Sequence, residues 1–260
     1  MRPGPQLHAP AVEVVVPAHD EAAIVGPHLR TLHAHLDRHL AVSWRITVAE
    51  NASTDATLEE ARRAAERLDG VRVTHRDAPG RGGALREAWL ASDASVVAYL
   101  DLDLSTDLGA LAPLLAPVLA GQADLAVGTR LGPDATCHRR LHREVLSRGY
   151  NALLRRTFAT AMSDAQCGFK AVRAEVVAPL LAEVLDDGWF FDTELLLAAE
   201  WRGLAIAEVP VRWIDDPDSR VRVVPTIVED LRGIARVRSA RRHAPAPPRW
   251  GSGCPRPDVA

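Results

Sequence analysis

The 260-residue chain is short of cysteine, lysine, long apolar runs and net charge. Its three cysteines, Cys137, Cys167 and Cys254, contain no Cys-x-x-Cys pair. That excludes a zinc ribbon and a secreted disulfide framework, and it points to a reducing, cytoplasmic setting. The longest uncharged apolar stretch, Ala110 to Ala120, is broken by Pro113 and Pro117; it falls far short of the ~20 residues of a membrane-spanning helix. Residues 1–10 hold one arginine, three prolines and no apolar stretch, so they read as a disordered N-terminus and not as a signal peptide. Lys+Arg 31 against Asp+Glu 34 gives a formal charge of -3, and no nucleic-acid partner is expected. Lysine is nearly missing: Lys170 is the only one, and the other 30 basic residues are arginine. Genomic base composition alone can produce such a bias, so the placement of the arginines carries more information than their number.

A composition of 47% hydrophobic and 25% charged residues is that of an ordinary globular protein. A chain of this size buries a sufficient core without disulfides or a structural metal. Short β-branched runs alternate with segments of helical period, which predicts an α/β fold with a mostly parallel sheet flanked by helices. Strands are expected at Val12–Val16, Trp44–Val48, Val71–Thr74, Ser95–Leu100 and Leu125–Val127, and around Ala207–Trp213. A first helix carries Val25, Leu29, Leu32 and Leu36 on one face, and a second follows the capping residues Ser53, Thr54 and Asp55. An arginine-studded helix is expected over Arg139–Arg156, a loop over Asp164–Lys170 and a helix through Phe191–Glu200. The last helix places Val224, Ile227, Val228, Leu231 and Ile234 on one face. Residues 243–260 read as a disordered tail.

Asp101-Leu102-Asp103 stands where a buried strand gives way to a loop. In extended chain, residues i and i+2 point the same way, so the two carboxylates converge. Like charges that close need a shared cation, and hard oxygen ligands suit Mg²⁺ or Mn²⁺ bridging to a diphosphate. The alternative, that both acids cap the following helix, is weakened because Asp107 can cap it alone. His35 and His39 have metal-ligand spacing on their helix, but no carboxylate or cysteine joins them, so they and His28 read as a solvated face.

Seven ordered motifs between Val12 and Val237 carry a resemblance. They are Val14–Glu21 (VVVPAHDE), Glu50–Asp55 (ENASTD), Gly80–Leu85 (GRGGAL) and Asp101–Ser105 (DLDLS), followed by Asp164–Lys170 (DAQCGFK), Trp189–Leu196 (WFFDTELL) and Glu208–Trp213 (EVPVRW). The sequence resembles inverting family 2 glycosyltransferases with the GT-A fold, and specifically polyprenyl-phosphate sugar synthases of the dolichyl-phosphate β-glucosyltransferase type. It departs from the pattern at His19-Asp20, where Tyr-Asn is usual, at Glu50-Asn51, where paired acids are usual, and at Ser105, which replaces glutamine. The resemblance implies one catalytic domain over 11–242, with a nucleotide-sugar half at 11–130 and an acceptor half at 131–242. It implies that Pro17, His19, Glu21 and Glu50 surround the base and ribose, and that Arg81 and Leu102 also belong to the nucleotide-sugar site. Asp101 and Asp103 are implied to hold the metal and diphosphate, with UDP-glucose the first donor and GDP-mannose the second.

Between Arg130 and Arg156 stand seven arginines against two acids, Asp134 and Glu144, and guanidinium groups pair bidentately with phosphate. By resemblance, Arg130, Arg139 and Arg143 are the candidates to hold the lipid phosphate and the leaving diphosphate, with Lys170 and Trp213 on the acceptor side. A phosphate monoester has its second pKa near ~6 and is a competent nucleophile without a strong base. Asp103 and Asp164 are therefore the acids expected at the reacting centre, Asp164 as an orienter or electrostatic stabiliser. Asp192 and Glu194 are expected to brace the acceptor loop. Leu231–Arg242 holds five arginines and no acid, which suggests a helix lying on an anionic leaflet and peripheral attachment at the inner face of the cell membrane.

Other classes remain. DLDLS also resembles the nucleophile loop of haloacid-dehalogenase phosphatases, but those place it after the first strand, and Lys170 and Asp215-Asp216 are poor matches for their remaining residues. A sugar-nucleotide cytidylyl- or uridylyltransferase lacks support because the glycine-rich, lysine-bearing first loop is missing. A glycosyltransferase acting on a polysaccharide or small-molecule acceptor stays open, as does a sugar-nucleotide-binding pseudoenzyme, against which Asp101 and Asp103 speak.

Overall fold

The computed structural model describes residues 9–132, 135–138, 141–214 and 223–243. Strands β1 (Val12–Ala18), β2 (Trp44–Asn51), β3 (Val71–Arg76), β4 (Val96–Leu100) and β5 (Leu125–Thr129) occur where apolar runs predict them. Helices α1 (Ala22–His39), α2 (Thr57–Ala65), α3 (Arg81–Leu90) and α4 (Leu111–Leu119) connect them. The second half adds β6 (Thr136–His138), α5 (Leu141–Phe158), β7 (Phe169–Arg173), α6 (Ala174–Leu181), α7 (Phe191–Trp201), β8 (Ile206–Pro210), β9 (Arg212–Ile214) and α8 (Val223–His243). One seven-stranded sheet runs β3-β2-β1-β4-β7-β5-β8, and β6 pairs with β9 in a second, two-stranded sheet. Only β7 runs against its neighbours in the large sheet, antiparallel to both β4 and β5.

Every residue of β1 is buried, as a central parallel strand requires. Glu13 is tolerated there because Arg45 (2.5 Å) and Arg72 (2.7 Å) neutralise it and Ser92 and Thr47 donate to it. In α1 the buried stripe is Val25, Leu29, Leu32 and Leu36, as its period predicts.

The second half corrects the sequence reading in several places. The expected loop Asp164–Lys170 runs into β7, where Lys170 pairs with Tyr99 of β4 across the middle of the sheet. The single strand expected over Ala207–Trp213 breaks at Val211 into β8 and β9, which belong to different sheets. The arginine-studded helix begins at Leu141, after Arg139 and Arg140, and both of these lie outside the described residues. On α8 the buried residues are Asp230, Ile234 and Val237, whereas Ile227, Val228 and Leu231 are 38%, 41% and 49% exposed. Gly233 lets the inner side sit this close: a Cβ there would lie 2.4 Å from the Phe190 ring. Among the described residues, no helix is long and apolar enough to cross a membrane.

Candidate active site

The carboxyl ends of parallel strands are where open α/β sheets bind ligands, because successive loops open away from each other there. The loops after β1, β2 and β4 each hold a non-glycine residue with left-handed backbone: Asp20 (φ 55°), Ala52 (φ 52°) and Leu104 (φ 53°). Such conformations cost energy and persist where surrounding contacts enforce them. Asp20 is fixed by the Thr54 backbone N–H (2.7 Å) and by Ser53 Oγ, which accepts from its own N–H (3.0 Å).

Of the residues expected around the base and ribose, Pro17 is buried inside β1 and His19 is exposed, its Nδ1 2.6 Å from the Asn51 carbonyl. The Glu21 N–H donates to Thr57 Oγ1 (2.6 Å) at the start of α1. Glu50 is turned inward and 1% exposed: it accepts from the Ser53 N–H at 2.7 Å and bonds His75. Burial alone would raise its pKa, but the Ser53 and His75 bonds hold it below the usual range, while Glu50 and Asp77 raise that of His75. Asn51, where the family pattern has an acid, joins two loops: its Nδ2 donates to the Ala18 carbonyl (2.9 Å) and its Oδ1 accepts from the Gly80 N–H (3.0 Å). Gly80 has φ 141° and leads into α3, so Asn51 fixes the turn that presents Arg81.

Asp101 and Asp103 follow β4. The Asp101 side chain is 42% exposed, and its Oδ1 accepts from the Arg81 guanidinium at 2.8 Å. Asp103 Oδ1 caps its own loop through the Ser105 N–H (2.9 Å). The side chain of Leu102 is buried in the core, and its carbonyl bonds His28 Nδ1 at 2.9 Å. Leu102 therefore reaches a ligand through backbone only, and His28, expected on a solvated face, instead anchors this loop. The far side is tied to β9: the Asp107 N–H donates to the Arg212 carbonyl (2.9 Å) and the Ile214 N–H to that of Ser105 (2.9 Å). The donor set fits a hard divalent cation, with two carboxylates on one short loop. Gly168 makes room for the Asp101 carboxylate, since a Cβ there would lie 1.8 Å from its Oδ2.

Beneath the loop lies a buried charge cluster with Asp192 of α7 at its centre. Asp192 accepts from Arg81 at 2.6 Å, from Lys170 at 2.8 Å and from the Tyr99 hydroxyl. Burial would raise its pKa, but the two cations and the Tyr99 bond hold it down to about 2. Lys170 is fully buried, and its ammonium also meets the Cys167 carbonyl (2.7 Å) and Tyr99 Oη (3.3 Å). An ammonium has three N–H donors. All are spent here, so the phosphate contact expected of Lys170 is replaced by a structural one under the site. Glu194 does brace a loop, accepting from the Leu185 and Asp186 N–H groups at 2.9 and 2.7 Å.

Arg130, expected to contact the acceptor, follows β5 and forks onto Asp164, which is 0% exposed. Burial would raise the Asp164 pKa, but the charge and bonds of Arg130 keep it below the usual range. Its carboxylate holds Arg130, whose guanidinium stands 5.7 Å from the Trp213 ring. Arg143 is half-buried on the first turn of α5, and Arg139 lies outside the described residues. Gln166, in the same loop as Asp164, donates to Asp230 of α8 at 2.8 Å and so links that helix to the site. Sequence reasoning missed Asn51, Tyr99 and the central role of Asp192, because each acts on partners distant in the chain.

The geometry does not suit the phosphatase reading, since the DLDLS loop follows the fourth strand and its first aspartate is engaged by Arg81; Asp215-Asp216 lie outside the described residues. The model of the glycosyl transferase family 2 domain matches residues 13–181. Glycosyltransferase AglD of Haloferax volcanii is 39% identical over 219 residues, 84% of this chain. This chain spans only 35% of the length of that protein. The human dolichyl-phosphate beta-glucosyltransferase is 27% identical over 225 residues, covering 81% of this chain and 69% of the relative. Among solved structures, glucosyl-3-phosphoglycerate synthase from Mycobacterium tuberculosis in complex with Mn²⁺, uridine diphosphate and phosphoglyceric acid superposes with a TM-score of 0.67 at 21% identity, covering 91% of this chain and 80% of that one. Together, the matching family model and the mixed, mostly parallel sheet with its acidic loop after β4 establish that the chain belongs to glycosyl transferase family 2 and is a glycosyltransferase of the GT-A fold.

Proposed function

We propose that this glycosyltransferase moves a hexose, glucose before any other, from a nucleoside-diphosphate sugar to a polyprenyl phosphate with inversion at the anomeric carbon. It does so at the cytoplasmic face of a membrane, with residues 11–130 serving the donor and 131–242 the acceptor. The observation that carries the reading is the Arg130–Asp164 fork at the end of β5, on the same sheet edge as Asp101 and Asp103. Relatives named for dolichyl-phosphate substrates support the acceptor class.

In this scheme a lipid phosphate oxygen forms the new bond to the anomeric carbon, and the bond to the diphosphate breaks with the electron pair leaving on the nucleoside diphosphate. The phosphate is largely a dianion at neutral pH, so no strong base is required. Arg130, aimed by Asp164 and flanked by Trp213, orients that phosphate, with Arg143 and Arg139 as further cationic contacts. Asp101 and Asp103 would hold Mg²⁺ or Mn²⁺, which when bound neutralises charge on the leaving diphosphate. Arg81 adds a fixed positive charge beside Asp101, and His19, Glu21 and Glu50 shape the loops around base and ribose. Membrane contact falls to α8 and its neighbour α5, which expose Ile227, Val228 and Leu231 on one helix and Val145, Leu146 and Leu153 on the other. The arginines of α8 follow that apolar strip toward its C-terminus, an arrangement that suits an anionic leaflet.

The test pairs UDP-glucose and GDP-mannose with a short polyprenyl phosphate, in Mg²⁺ and in Mn²⁺. Nucleoside diphosphate released only when polyprenyl phosphate is present supports the reading. Release with 3-phosphoglycerate and not with the lipid, or phosphate release from a monoester without donor, overturns it. Asp103→Asn is expected to lower turnover at least ~100-fold with either metal.

A further inference from the structure

We infer that Trp189 is the platform on which the donor hexose stacks, its indole ring meeting the C–H face of the pyranose. The inference rests on the proposed reading of Asp101 and Asp103 as the residues that hold the donor diphosphate.

Trp189, Phe190 and Phe191 lead in a row into α7, and they are not used alike. Phe190 and Phe191 are fully buried, whereas Trp189 is 39% exposed. Phe190 packs against Gly233 of α8 and Phe191 against Gly82 of α3, at approaches that leave no space for a Cβ on either glycine. The Trp189 ring instead stands 5.1 Å from the Arg81 guanidinium. A guanidinium covers one face of a flat indole at most, and much of this ring stays open to solvent.

Trp189 is held in place despite its exposure. Arg86 of α3 donates to the carbonyls of Leu181, Val184 and Asp186 at 2.9, 2.6 and 3.2 Å, which straps the chain that leaves α6. The Asp187 carboxylate accepts from Arg76 at 2.9 Å, and its carbonyl accepts from the Gly83 N–H at 3.0 Å. The Gly188 N–H closes a turn onto Asp186 Oδ1 at 2.8 Å. A ring already fixed from both sides loses little freedom when a ligand settles on it, which is what a binding platform requires.

Position then selects the ligand. Arg81 also donates to Asp101 Oδ1 at 2.8 Å, so the Trp189 ring and the Asp101 carboxylate flank one guanidinium. A diphosphate held at Asp101 and Asp103 lies beside that arginine, and the sugar is joined directly to the diphosphate. The base, at the other end of the nucleotide, belongs with His19, Glu21 and Glu50. Chemistry agrees with position. A pyranose carries apolar C–H groups on its ring faces and hydroxyls around its rim, and its slightly positive hydrogens suit the negative face of an indole.

The experiment measures binding to the full chain by calorimetry in Mn²⁺, pairing UDP with UDP-glucose and, in parallel arms, GDP with GDP-mannose. Trp189→Ala is expected to weaken the sugar nucleotide about 10-fold and the free nucleoside diphosphate less than about 2-fold. Trp189→Phe keeps a smaller aromatic face and stays within about 3-fold of the wild type. Trp189→Leu keeps apolar bulk without a π face; it repeats the alanine result and serves if the alanine variant does not fold. Equal weakening of nucleotide and sugar nucleotide overturns the platform and leaves Trp189 as a support for Arg81. Unchanged donor binding overturns it as well, and a raised KM for polyprenyl phosphate would then move the ring to the acceptor. A wild type that binds neither nucleoside diphosphate nor sugar nucleotide removes the donor reading, and the platform falls with it.

Discussion

Arg130 meets Asp164 three times: its Nε at 2.7 Å, a terminal guanidinium nitrogen at 2.9 Å and its own backbone N–H at 3.1 Å all donate to one buried carboxylate. A carboxylate so fully engaged is an orienter and not a proton acceptor, because protonating it would break the fork that aims Arg130. Asp164→Asn keeps the shape and loses the fork. The expected result is a fall in kcat/KM of about 100- to 1000-fold together with a lower melting temperature, because Arg130 keeps its charge and loses its buried partner. Since the Asp164 pKa already lies below the usual range, the loss should be the same at every pH from 5 to 8. A wild-type rate that falls on the acid side through a pKa that Asp164→Asn abolishes would instead make Asp164 a general base.

The legible parts of this molecule are those whose cause is local. β1 is a continuous apolar run, and α1 shows its buried stripe at helical spacing. The acidic loop after β4 could be placed because it begins where a buried strand ends, although the chain turns at Leu102 and Asp103 and is not extended there as the i, i+2 reading assumes. β7 was illegible because Lys170 is its second residue, and nothing within five residues tells that Tyr99 and Asp192, 71 and 22 positions away, satisfy that ammonium. On α8 periodicity grouped the apolar residues, but that Ile234 and Val237 face the core while Ile227, Val228 and Leu231 stay exposed depends on the close approach of Gly233 to Phe190, a tertiary fact. Glu50 and Asn51 looked like a single acidic motif, yet one turns into its own loop and the other ties Ala18 to Gly80.

Asp192 neutralises two buried cations at once, so losing its charge should cost more than losing either cation. Asp192→Asn is expected to destabilise the fold by about 3–5 kcal/mol, the usual result of stranding a buried charge. Lys170→Met should cost less, because Asp192 keeps Arg81 and Tyr99. The double variant should recover part of the loss, which denaturant melts in a double-mutant cycle would measure. The pH dependence follows from the depressed pKa of about 2: the Asp192 contribution is complete above the ordinary value near 3.8 and fades as pH falls toward 2. Additive single-variant costs would show that the cluster does not act as a unit.

The apolar strip of α8 is exposed, whereas Ile234 and Val237 on the other side hold the helix to the core. Truncating the helix would therefore damage the fold, and point changes on the outer strip are the cleaner probe. Replacing Ile227, Val228 and Leu231 together by serine should reduce flotation with anionic phosphatidylglycerol vesicles at least ~10-fold, with the melting temperature unchanged. Raising salt from 0.05 to 0.5 M should weaken binding of the wild type as well, since its arginines act through a screened field. Equal flotation of both proteins would remove this face from the membrane.

Asp230 is 5% exposed on the inner side of α8; one oxygen accepts from Gln166, and the other is buried without a hydrogen-bond partner. Burial, with Asp186 and Glu229 adding like charge, pushes its pKa up to about 6 from an ordinary 3.8. A carboxyl group with a raised folded-state pKa favours the folded chain when protonated, so stability gained on this account grows as pH falls through 6 and is complete below about 4. At pH 7.5 the charge is a net cost. Asp230→Asn keeps an acceptor for Gln166 and removes that cost, so it should stabilise the protein by on the order of 1–3 kcal/mol at pH 7.5 and by little at pH 4.5. Thermal melts of both proteins at the two pH values decide the matter. A variant less stable than wild type at pH 7.5 would mean that the ionised Asp230 is stabilised by its surroundings, contrary to the orphaned oxygen. A gain in stability with lower kcat would add that the Gln166–Asp230 link holds the Asp164 loop in its working position, because Gln166 N also donates to Asp164 Oδ1 at 3.3 Å.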